Sequence, residues 1–109
     1  GLDTADALHA LGVDIAQGQP LGVATGGCMC NDLRYVAHQM GVTLTSLAVD
    51  VTVHLTDGNP RFATDAGGAI TVESDDLNAD LAELVKRARA DTTIGNSLMR
   101  GINIRYRDA

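Results

Sequence analysis

From Leu47 to Leu55 every odd position is apolar (Leu47, Val49, Val51, Val53, Leu55), and Asp50, Thr52 and His54 between them are polar. A backbone with this period of two is a strand with one buried and one wetted face. Such a strand needs a neighbour alongside and an apolar layer on one side. The turn cluster Asp57-Gly58-Asn59-Pro60 and a loose Gly67-Gly68 lead to a second alternation at Ile70-Thr71-Val72-Glu73, expected to pair antiparallel with the first. Near the end Ile102, Ile104 and Tyr106 alternate with Asn103, Arg105 and Arg107, which predicts a third strand.

The apolar layer comes from helices. Pro20 suits a first helical turn, and Met29, Leu33, Val36, Ala37 and Met40 follow at helical spacing, predicting a helix over 20–40 that Gly41 closes. Ser74, Asp75 and Asp76 offer N-caps for an amphipathic helix with the stripe Leu77, Leu81, Leu84, Val85 and Ala88. A short helical turn is expected near Ser97-Leu98-Met99. Residues 1–19 give a short helical pattern (Leu2, Ala5, Leu8, Leu11) and a brief strand around residues 12–15. The order implies an α+β fold: one antiparallel sheet, wet on one face, packed on a buried central helix.

A chain of 109 residues is a single domain, here 1–109, burying about 65% of its unfolded surface. A partner subunit would enlarge that modest core. The net charge of −6 argues against nucleic acid or an anionic membrane as partner. No apolar run is long enough for a membrane span and none looks like a signal peptide, so a cytoplasmic protein is expected. His9, His38 and His54 are scattered without metal-ligand spacing, and neither glycine pair belongs to a phosphate loop. Neither a metal nor a cofactor is expected.

Two stretches then become informative together. Ala24-Thr25-Gly26-Gly27-Cys28 runs into Arg34-Tyr35-Val36-Ala37-His38-Gln39-Met40-Gly41-Val42, and Asn96-Ser97-Leu98-Met99-Arg100-Gly101 lies after the second amphipathic helix. In order and spacing these resemble the motifs of the OsmC/Ohr family, over roughly residues 20–109, with 1–19 atypical. The resemblance implies an intertwined homodimer, a site at the subunit interface and thiol-dependent reduction of organic hydroperoxides. It places the peroxidatic cysteine on Cys28. The departures are equally specific. The resolving cysteine falls on Thr92, the proline after it falls on Thr93, and no Arg or Lys precedes Arg34 to supply the family's thiolate-stabilising arginine. The opening strands are largely missing, so either the fold is trimmed or residues upstream or a second chain complete it.

A thiol that attacks a peroxide must ionise, which calls for a cation, a helix N-terminus or hydrogen-bond donors. Cys28 lies about two turns into its helix, where the dipole has faded, and Asp32 one turn later would repel a thiolate. Cys30 points elsewhere around the helix. Cys28, Asn31, Asp32 and Tyr35 share one helical face, a polar cluster fit to line a pocket, with Thr92 and Asn96 brought in by the second motif. Three readings follow. The chain is a one-cysteine peroxidase regenerated by an external thiol. Alternatively the peroxidase site has degenerated and the pocket binds or transforms a small organic molecule, with Asp32 as general acid or base. In the third, the chain is one subunit of a larger assembly. Buried structural cysteines and locally capping Asn31 and Asp32 are the plainer alternatives.

Overall fold

The computed structural model describes residues 19–108. The short helix and brief strand expected within residues 1–18 lie outside the described residues. The elements are α1 (Gln19–Gln39), β1 (Ser46–Leu55), β2 (Ala63–Glu73), α2 (Leu81–Asp91) and α3 (Thr93–Arg100). They form an α+β fold whose antiparallel sheet packs against α1, while α2 also packs on that helix and shares its core with the sheet.

Helix α1 ends as its sequence predicts. Gly41 takes φ +68°, a conformation open to glycine without a Cβ penalty, and the amides of Gly41 and Val42 bond back to the carbonyls of His38 and Ala37. This Schellman closure turns the chain into β1. The buried face of α1 carries Leu33, Val36 and Ala37, which meet Leu84 and Ala88 of α2 in the core. Leu47, Val49, Ile70 and Val72 pack against that cluster from the sheet. Gly26 lets the helix approach the strand: a Cβ there would lie 3.2 Å from Val51 Cγ2.

Strand β2 is longer than its side chains suggest. It starts at Ala63, and Gly67 and Gly68, read above as a loose turn, pair with Thr52 and Val51 of β1. Main-chain pairing with β1 needs no side chain, and Gly68 fits because a Cβ would stand 3.2 Å from the Asp50 carbonyl oxygen. Helix α2 starts later than expected. Its N-cap is Asp80, whose Oδ1 accepts from the Glu83 amide at 3.0 Å. Ser74 instead donates to the Thr43 carbonyl, Asp76 closes a turn with the Asn78 amide, and Leu77 is 98% exposed.

Helix α3 is a full element rather than one turn, and Thr92 both ends α2 and begins α3. The third strand predicted at 102–106 does not form. Residues 101–108 are irregular, and Ile102, Ile104 and Tyr106 are exposed, because the alternation specifies a face but supplies no strand to pair with. The radius of gyration, 16.0 Å, exceeds the ~13 Å usual for this length. Among the described residues no helix is long and apolar enough to cross a membrane.

Candidate thiol site at the junction of three helices

The site begins with helical spacing. Asp32, four residues after Cys28 on α1, lies one turn away on the same face, and the Cys28 thiol donates to Asp32 Oδ2 at 3.6 Å. Both side chains are half-buried. Across from them the corner between α2 and α3 delivers Thr92, 6% exposed, whose hydroxyl donates to Cys28 Sγ at 3.4 Å. The sulfur therefore touches a hydroxyl donor on one side and a carboxylate acceptor on the other. Cys28 and Cys30 are both free thiols.

Thr92 is held by the backbone around it. Its amide bonds to the Ala88 carbonyl at 3.1 Å, and its own carbonyl accepts from the Asn96 amide at 2.9 Å and from Asn96 Nδ2 at 2.8 Å. Asn96 Nδ2 also reaches the Ala90 carbonyl at 2.9 Å, one of the carbonyls that α2 leaves without a helical partner. Arg100 Nη1 in turn donates to the Asn96 carbonyl at 3.1 Å and to Asn96 Oδ1 at 3.0 Å. The spacing Thr92, Asn96, Arg100 is i, i+4, i+8 along one helical face.

The structure thus brings together Cys28, Asp32, Thr92 and Asn96, and does not bring Asn31 or Tyr35 to the sulfur. Asn31 is exposed, and Tyr35, about 10 Å further along α1, is 61% exposed. Asn96 spends its amide on backbone carbonyls rather than on an open pocket. An open groove of about 530 Å³ does lie on this chain, lined by Arg34, His38, Thr43, Thr45 and Ser46 among others, but it does not include Cys28. His54, on the wet face, has its Nε2 3.9 Å from Asp65 Oδ2 with both side chains in solvent. Among the described residues no three His, Cys, Asp or Glu side chains converge on a metal position.

Two residues of the arrangement escape sequence reading. Gly95 has no room for a side chain, since a Cβ would fall 2.8 Å from Thr92 Cγ2. Arg100 anchors Asn96. The i+4 steps from Thr92 were the available signal for Arg100, whereas nothing local marks Gly95.

A family model described as OsmC-like protein matches residues 18–107. Among solved structures, an OsmC-like hydroperoxide resistance protein from Jannaschia sp. CCS1 superposes with a TM-score of 0.67 at 20% identity. The match covers 87% of this chain and 67% of that one. At that identity the likeness concerns the fold. No curated protein matches the chain.

Proposed function

This chain belongs to the OsmC family, and from that premise we propose that it reduces organic hydroperoxides through the Cys28 thiol, with an external thiol as reductant. One observation carries the reading: the Cys28 sulfur lies between a hydrogen-bond donor, Thr92 Oγ1, and a proton acceptor, Asp32 Oδ2. The hydroperoxide resistance named for the Jannaschia protein supports the same class of chemistry.

In the proposed cycle Asp32 takes the thiol proton as the sulfur attacks the outer peroxide oxygen. The O–O bond breaks, Cys28 becomes a sulfenic acid, and the departing alkoxide leaves as an alcohol after receiving the proton from Asp32. The Thr92 hydroxyl stabilises the sulfur while it carries negative charge. Thr92 also stands where the family resemblance places a second cysteine, so an internal disulfide is not part of the cycle. One external thiol displaces water from the sulfenic acid to give a mixed disulfide. A second releases Cys28 and leaves as the oxidised external disulfide.

The proposed working unit is a homodimer in a reducing compartment such as the cytoplasm. Met99, Ile102, Ile104 and Tyr106 are 60–93% exposed, a sequence-local group of large apolar side chains that a partner copy would cover. Among the described residues the two-stranded sheet has unpaired edges, to which strands from a partner copy, or from a second kind of chain, would add.

The test is the rate of Cys28 oxidation by cumene hydroperoxide, read by intact mass and free-thiol titration, with Cys28→Ser as control. Rapid addition of one oxygen at Cys28, slowed in Asp32→Asn, is expected. A thiol that reacts no faster than free cysteine ends the reading. The carboxylate beside the sulfur favours a second use, since it opposes a thiolate: the site would bind or transform a small organic molecule by non-redox chemistry, with Asp32 as general acid or base. An inert Cys28 together with an Asp32-dependent turnover of a non-peroxide substrate would select it.

A further inference from the structure

We propose that Arg100 is a positioning residue for Cys28, acting through Asn96 to hold the Thr92 hydroxyl on the sulfur. The proposal rests on the thiol reading above for its use in catalysis, but its geometry is independent of any substrate. Each step is a short contact. Arg100 Nη1 grips both the carbonyl and the side-chain oxygen of Asn96. That grip leaves Asn96 Nδ2 facing the other way, where it ties the Ala90 and Thr92 carbonyls together across the α2–α3 corner. The corner carries a single buried hydroxyl, Thr92 Oγ1, and its bond ends on Cys28 Sγ.

An amide held at one end only would be free to rotate, exchanging its donor for its acceptor. With Oδ1 engaged by a guanidinium, Asn96 must present Nδ2 to the backbone, and both carbonyls at the corner gain a donor. The Thr92 main chain, fixed at its amide and its carbonyl, then leaves its side chain little freedom beyond rotation about χ1. Arg100 is exposed and touches none of the reacting atoms, so its influence on the sulfur runs through geometry rather than through its charge.

The experiment measures alkylation of Cys28 by iodoacetamide across a pH series, resolved from Cys30 by peptide mass, in wild type, Thr92→Val, Arg100→Gln, Arg100→Lys and the Thr92→Val/Arg100→Gln double variant. Thermal unfolding is recorded for each. Loss of the Thr92 donor should slow alkylation at neutral pH by about tenfold and move the half-maximal pH upward. Arg100→Gln should reproduce roughly half or more of that slowing on a logarithmic scale, and the double variant should add nothing to Thr92→Val. Arg100→Lys, which keeps the charge but not the planar guanidinium whose single Nη1 bridges both Asn96 oxygens, should resemble Arg100→Gln, and the differences should persist in ~1 M salt. Additive effects, rescue by lysine, or an Arg100→Gln variant that loses stability with an unchanged pH profile would each overturn the proposal. Because alkylation needs no peroxide, wild-type protein inert to hydroperoxide would refute the peroxidase reading while leaving this coupling to stand or fall by itself.

Discussion

Replacing Gly95 by alanine separates stability from thiol chemistry in a way that tests the site's packing. The added Cβ would sit 2.8 Å from Thr92 Cγ2 and 3.8 Å from Thr92 Oγ1, whereas carbon atoms ordinarily meet at about 3.5–4.0 Å. Roughly 0.7–1 Å must be found, and Thr92, buried beneath α1, has two ways to give. It can turn about χ1, which swings the hydroxyl away from Cys28, or the first turn of α3 can open and shift the Thr92 backbone with it. Either route lengthens a contact that is 3.4 Å in the native arrangement. Overpacking of this kind costs about 1–3 kcal/mol, while exchanging a helical glycine for alanine returns about 1 kcal/mol. The net loss should be about 0–2 kcal/mol, a fall in Tm of at most ~15 °C, with Cys28 alkylation slowed about three- to tenfold at neutral pH. Thermal denaturation followed by circular dichroism, alongside alkylation at Cys28, reads both. A Gly95→Ala protein with a raised Tm and native alkylation kinetics would refute the reasoning, because it would show that α3 absorbs the methyl group without disturbing Thr92.

Other expectations follow from features away from the sulfur. Leu33→Ala should destabilise by about 2–5 kcal/mol in urea titration, since Leu33 is wholly buried in a core of few residues. Gly41→Ala should lose about 1 kcal/mol from the strained left-handed cap, whereas Gly27→Ala, inside α1 where the space is open, should gain about 0.5–1 kcal/mol. Asp80→Ala should lose about 1 kcal/mol through the missing bond to the Glu83 amide, with asparagine restoring most of it. Sedimentation should give twice the chain mass of 11.4 kDa if the proposed homodimer forms, and Ile104→Lys should shift the protein toward monomer.

Much of the fold was legible because the decisive residues act locally. Gly41 closes α1 through its own backbone preference, and the alternation in β1 reports its burial directly. Where the sequence misled, a local pattern stood for something that only a neighbour decides. Gly67 and Gly68 look like a turn but are held extended by β1, and Ser74 and Asp76 look like helix caps but close turns before Asp80. The same holds for Ile102–Tyr106, a strand pattern that no strand among the described residues pairs with. At the site, Cys28 and Asp32 were readable from the helical repeat, and Thr92 from family resemblance. Gly95 was not readable, because its empty space matters only once the buried Thr92 side chain three residues earlier is held against Cys28 at the α2–α3 corner.

The contact between Thr92 and Cys28 joins residues 64 positions apart, whereas the β-hairpin closes between Leu55 and Ala63. Closing the longer loop carries the larger entropic penalty, so the hairpin can form early and the α2–α3 corner docks late. Until it docks, the sulfur lacks the hydroxyl that activates it. The rate of Cys28 alkylation therefore serves as a clock for the last stage of refolding, and a pulse of alkylating reagent applied at increasing delays would show the rate rise when the corner arrives.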